Sequence, residues 1–150
     1  MQRRTLVAAA AAFGLTSTAL SAFAAEKGTQ YVVLDKPLPN AEGTLIKVFS
    51  YDCPFCYKYD VGVDPRVLPR IEKEVGLKFK PIHLETKGTY GRCASVFLAM
   101  CMLRDEKAGV SIEDKNSLFK KAKDAIYNAY HRKQERWTAG ESGFFKNMTD

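Results

Sequence analysis

Two cysteines three residues apart, Cys53 and Cys56, flank Pro54-Phe55 immediately after the apolar run Leu45-Ile46-Lys47-Val48-Phe49-Ser50, and few folds accommodate that order. The near-continuous apolar run predicts a central strand buried on both faces. Proline at the second motif position suits the first turn of a helix, where its missing N–H costs nothing. Cys53 is therefore expected at or just before a helix N-terminus, with Cys56 on the first turn. That spacing lets the two thiols close a disulfide and makes them unequal. Cys53 would meet the unpaired N–H groups and the positive end of the helix, which favour its thiolate, so it is the candidate nucleophile. Cys56, better shielded within the helix, is the candidate resolving thiol.

The flanking pattern supplies a context for that motif. A helical stretch with Val67, Leu68, Ile71 and Val75 on one face is expected to stop at Gly76, with Gly62, Pro65 and Pro69 interrupting it. Lys78 to Leu84 alternates like a strand, in which Pro81 lacks a ladder donor and predicts an edge or a bend. Strand, helix, strand makes a βαβ unit, whose crossover is parallel and right-handed. His83 at the strand end is expected to be a hydrogen-bonded structural residue. After the Thr86–Gly91 loop the periodicity turns helical, with Cys93, Val96, Phe97, Met100, Cys101 and Leu103 on a broad apolar arc. Ser111-Ile112-Glu113-Asp114 resembles a capping box opening a second helix, with Leu118, Phe119, Ala122, Ile126 and Ala129 facing inward. A small strand is also predicted at Tyr31–Leu34, before the Pro/Gly turn of residues 36–43.

The first 24 residues predict a secretory signal peptide. Met1-Gln2-Arg3-Arg4-Thr5 is basic, Leu6 to Leu20 is mostly apolar, and Ala22-Phe23-Ala24 is a small-x-small cleavage signal. Residues 25–150 then suffice for one domain with a modest core. With 46% hydrophobic and 27% charged residues, global disorder is excluded. The formal net charge of +6 includes two arginines of the leader, so the exported part is mildly basic. Nucleic acid would be an odd partner for an exported chain, and the basic excess either shapes a surface for acidic partners or is simply solvated.

Four cysteines, Cys53, Cys56, Cys93 and Cys101, are too sparse for a disulfide scaffold. A c-type haem site would need His after the second cysteine of the motif, where Tyr57 stands. Zinc would need a second ligand pair, and only His83, His131, Cys93 and Cys101 remain for it. Eight residues of helical rise would separate Cys93 from Cys101 by about 12 Å, too far for a disulfide. They are expected to be small apolar core residues. A static structural disulfide between Cys53 and Cys56 stays open beside the redox reading.

Beyond the motif, the chain resembles the DsbA family of periplasmic thiol:disulfide oxidoreductases, and its DsbL branch in particular. The carrying segments are Leu34-Asp35-Lys36-Pro37-Leu38-Pro39-Asn40-Ala41, Ile46 to Ser50 leading into Cys53 to Asp60, and His83-Leu84-Glu85-Thr86-Lys87-Gly88. To these are added Phe119-Lys120-Lys121-Ala122-Lys123, Tyr130-His131 and Glu135-Arg136-Trp137. The resemblance implies an α/β domain over residues 25–150 with the thioredoxin-like fold and a helical insertion. It further implies a dithiol oxidase that donates its disulfide to exported clients, an arylsulfate sulfotransferase being the favoured one of the branch. A DsbB/DsbI-type quinone-coupled membrane protein would reoxidise it in the periplasm. A monomer without cofactor or bound metal is expected. The family completes its sheet with strands after the insertion and faces the dithiol with a proline loop. Of Pro37, Pro39, Pro54, Pro65, Pro69 and Pro81 none stands in that late position, so a C-terminally truncated member lacking the C-terminal strands is expected. Reductase or isomerase activity, an inert fragment and a zinc module are the competing readings.

Two charges are expected to tune Cys53, together with its motif neighbours Pro54 and Phe55. Asp52 precedes the nucleophile and would disfavour its thiolate, while Lys47 on the preceding strand would act in the opposite sense.

Overall fold

The computed structural model describes residues 25–149, so the expected signal peptide lies outside the described residues. The chain divides into two units, one ending at Pro37 and one beginning at Leu38. In the first, a Lys27–Tyr31 bridge closes a turn, and Gly28 N–H donates to Tyr31 C=O at 2.7 Å. The strand expected at Tyr31–Leu34 does not form: beyond that bridge Val32, Val33 and Leu34 have no ladder and are exposed. β propensity needs a partner edge to become a strand, and among the described residues of their unit these have none.

The second unit runs β1 (Thr44–Phe49), α1 (Pro54–Gly62), α2 (Asp64–Arg70), β2 (Lys78–His83), α3 (Gly91–Lys107), α4 (Leu118–Tyr127) and α5 (Glu141–Thr149). β1 and β2 pair in parallel from Thr44↔Lys78 to Phe49↔His83, as the βαβ reading requires. Pro81 stands opposite Lys47 in that register. Burial on both faces of β1 is not found. Phe49 is buried, whereas Val48 is 51% exposed, because the described sheet has two strands and its outer face lacks a covering layer.

Pro69 sits inside α2, where it removes a donor and crowds the preceding turn; a π-helical turn, Ile71–Val75, comes next. Gly76 ends it at φ 77°, a left-handed position that glycine adopts without a Cβ penalty.

α3 buries Ala94, Leu98 and Asp105, while Val96, Met100 and Leu103 of the expected arc are half exposed. The arc was broad enough to be satisfied by more than one rotation, and contact with α4 selects one of them. α4 buries Phe119, Ala122 and Ile126 as its periodicity predicts, whereas Leu118, expected inward, is 42% exposed at the first position of the helix. Its cap differs: Ser111 lies in a turn, and Ser117 Oγ accepts the Lys120 N–H at 3.0 Å. A second π-helical turn, Asn128–Arg132, continues α4. The core joins Phe49 and Tyr51 from the β1 end to α3, α4, Trp137 and Phe144. Among the described residues no helix is long and apolar enough to cross a membrane.

Candidate active site

The dithiol stands where the first turn of α1 leaves β1. Cys53 is the N-cap, with extended backbone (φ −83°, ψ 113°), and its Sγ accepts the Cys56 N–H at 3.3 Å. Pro54 fills the first helical position, so a donor that could have no partner is absent. Pro54 and Phe55 are exposed, Phe55 to 70%, while both sulfur-bearing residues are half-buried.

The two thiols are driven apart. Burial pushes the Cys53 thiol up, but hydrogen bonds from the Cys56 thiol and from the Cys56 and Phe55 N–H groups, with the Lys87 charge, outweigh it and leave Cys53 below the ordinary thiol value. Cys56 goes up, first through burial and then through its hydrogen bond to Cys53; a Ser50 backbone hydrogen bond and the Lys47 charge pull it only partly back. Such a pair can hold a thiolate on the outer sulfur and a proton on the inner one.

Charges around the pair are themselves tied. Asp52 accepts from Ser50 Oγ at 2.7 Å and lies 3.5 Å from Lys87 Nζ. Lys47 Nζ is paired with Asp64, and Lys123 Nζ with the buried Asp60 at the inner side of α1. The charge that lowers Cys53 is that of Lys87, from the loop after β2, which the sequence offered only within a resembling segment; the Lys47 charge, expected to act on Cys53, bears on Cys56. A lysine in a glycine-bearing loop 34 positions from the nucleophile carries no local signal; the parallel β1–β2 register brings it back.

Tyr51, two residues before Cys53, is held from several sides. Its N–H donates to His83 Nε2 at 3.0 Å, and its C=O accepts from His131 Nε2 at 2.8 Å. Its hydroxyl accepts the Tyr90 N–H at 3.0 Å. A Cβ on Gly88 would stand 2.7 Å from that hydroxyl oxygen, so glycine there makes room for the ring. His83 completes the structural role expected of it. With Nε2 accepting, its Nδ1 carries the proton and donates to Ser95 Oγ at 2.8 Å, and burial lowers its pKa to about 4 against a smaller opposing effect of Asp52.

Cys93 and Cys101 both lie on α3 and are free thiols, as are Cys53 and Cys56. The zinc reading finds no donor set: among the described residues no three His, Cys, Asp or Glu side chains converge, and both histidines are engaged in hydrogen bonds.

A parallel strand pair joined through a helix that opens on a Cys-x-x-Cys dithiol, with further helices packed beside it, defines a thioredoxin-like α/β protein. Within that class, the chain is similar in sequence and fold to the DsbL thiol:disulfide interchange proteins. It is 50% identical over 147 residues to the DsbL of Escherichia coli O6:H1, matching 97% of this chain and 63% of that protein. With the DsbL of Lelliottia amnigena it shares 53% identity over 142 residues, 93% of this chain and 62% of the relative. The crystal structure of DsbL from Salmonella enterica serovar Typhimurium superposes with a TM-score of 0.74 at 50% identity, covering 85% of this chain and 64% of that one. The chain therefore spans a little under two thirds of the length of the curated relatives it matches. No family profile matches it.

Proposed function

We propose that the chain acts as a dithiol oxidase, with Cys53 the nucleophilic position and Cys56 the resolving one. The observation that carries this reading is the unequal placement of the two thiols at the open end of α1, Cys53 as its N-cap with Sγ accepting the Cys56 N–H at 3.3 Å and Cys56 inside the first turn, a geometry that lowers the one thiol and raises the other. In the disulfide form, a client thiolate attacks Cys53 Sγ and the electron pair of the S–S bond leaves on Cys56, which takes up a proton. A second client thiolate then attacks its partner sulfur in the mixed disulfide, forming the client disulfide and expelling Cys53 as a thiolate. Two electrons pass from client to enzyme, and the stabilised Cys53 thiolate makes that exit favourable.

Likeness to DsbL supports exported client proteins as substrates, an arylsulfate sulfotransferase among them, and the periplasm as the site of action. It equally supports a DsbB/DsbI-type quinone-coupled membrane protein that draws the two electrons off again. The exposed Phe55 beside the dithiol offers an apolar contact for a client segment. Reductase or isomerase action would use the same two sulfurs in other directions, the direction being set by how far the Cys53 thiolate is stabilised.

Expression of Cys56→Ala is expected to accumulate mixed disulfides between Cys53 and clients, visible on non-reducing gels and released by dithiothreitol. Cys53→Ala should show none and donate no disulfide. Clients trapped on the Cys53→Ala protein would reverse the two roles.

A further inference from the structure

Both flanks of the dithiol meet one residue that belongs neither to the motif nor to the sheet. His131 lies in the π-helical turn Asn128–Arg132 at the end of α4. Because a carbonyl can only accept, its Nε2 carries the proton and donates to Tyr51 C=O, two residues before Cys53, at 2.8 Å. Its ring stacks on Tyr57, the residue after Cys56, with centroids 4.7 Å apart and planes 5° from parallel. Tyr130 meets the same imidazole edge-on at 5.1 Å, and Tyr127 lies tilted at 5.8 Å. The extra residue of a π turn rotates the downstream side chains relative to a continuous α-helix, and such turns recur at functional sites.

We propose that His131 is a positioning residue of the dithiol: it ties the peptide leading into Cys53 and the helix turn carrying Cys56 to one rigid support on the helical insertion. Tyr51 is pinned from the other side by His83 Nε2, so its N–H is held by an imidazole nitrogen that accepts and its C=O by one that donates. With both ends of that residue fixed, the Ser50 C=O that accepts the Cys53 N–H at 3.2 Å cannot drift, and Cys53 stays in its capping position. A reacting geometry supported in this way loses its poise when the support is cut, although the support never touches sulfur. The proposal rests on the oxidoreductase reading and says how the insertion serves it.

The test is the redox equilibrium of the protein with glutathione, beside thiolate absorbance and circular dichroism. His131→Phe keeps an aromatic ring against Tyr57 and loses the bond to Tyr51; it is expected to shift the equilibrium about five-fold toward the protein disulfide, the scale of one hydrogen bond. His131→Gln restores an amide donor and should recover most of that shift. An equilibrium for His131→Phe within about two-fold of the unaltered protein would overturn the proposal, as would His131→Gln behaving no better than His131→Phe. Should a substitution unfold the protein, the imidazole nitrogen resonances of His131 in the unaltered protein decide: they are expected to differ between dithiol and disulfide forms, and identical resonances overturn the proposal. Absence of any exchange between the unaltered protein and glutathione is a separate outcome, one that removes the oxidoreductase reading and this inference with it.

Discussion

At the scale of single residues, the acidity of Cys53 is a contest between burial and a small number of donors. The helix-end N–H groups of Phe55 and Cys56 are fixed by the backbone, whereas the Lys87 charge is adjustable and shared with Asp52. Lys87→Met should therefore raise the Cys53 pKa. Asp52→Ala should lower it, by releasing Lys87 from its carboxylate and removing a negative neighbour. Lys47 bears on the inner thiol, so Lys47→Met should raise the Cys56 titration and, through the Cys53–Cys56 hydrogen bond, disturb the outer one. Thiolate absorbance measured against pH in the three variants checks this. An unmoved Cys53 in Lys87→Met would remove that lysine from the account.

Elements in this chain are joined by shared polar groups as much as by their apolar faces. Asp105, buried on α3, accepts the Leu118 N–H at 2.8 Å, the Phe119 N–H at 2.9 Å and the Ser117 hydroxyl at 2.7 Å. It thus caps α4 from another helix, satisfying first-turn donors that would otherwise be orphaned. Burial alone would raise its carboxyl, but these hydrogen bonds outweigh burial and hold it below the ordinary range. Asp105→Ala should cost about 3 kcal/mol, since it strands buried donors, whereas Asp105→Asn keeps an acceptor and should cost about half as much. Denaturant midpoints of the two variants measure the difference. Equal losses would show that packing, not capping, is what Asp105 supplies.

For the whole molecule, stability acquires a pH dependence through His83, which bonds the β1–α1 connection to β2. Its folded pKa of about 4 lies below the ordinary histidine value of 6.5. Between those values the unfolded chain binds a proton that the native chain refuses, so stability rises with pH across the window and is lost as pH falls through it. Protonation would also turn the acceptor of the Tyr51 N–H into a donor. The expected loss from pH 7 to pH 4.5 is about 2 kcal/mol, with a slope of no more than about 1.4 kcal/mol per pH unit. His83→Gln should be less stable at neutral pH and flatter across the window, as read by denaturant unfolding at both pH values. A His83→Gln protein with the unaltered slope would place the titration elsewhere.

Local chemistry made the motif and its helix legible in the sequence. Proline at the first helical position, a glycine at a left-handed helix end and the 3.6-residue spacing of Phe119, Ala122 and Ile126 each act within a few bonds of the residue that carries them. The sequence by itself thus determined the βαβ order, the capping position of Cys53 and the inward face of α4. Long-range pairing decided the rest. Whether β1 is covered, which rotation α3 adopts and whether Tyr31–Leu34 becomes a strand depend on which surfaces meet, and an apolar residue fits more than one answer. The neighbours of the dithiol belong to that second kind: Lys87, His83 and His131 lie 34, 30 and 78 positions from Cys53, and no periodicity relates them to it. Only the fold closes those distances, because hydrogen bonds and charges act through space over a few ångströms and are indifferent to separation along the chain.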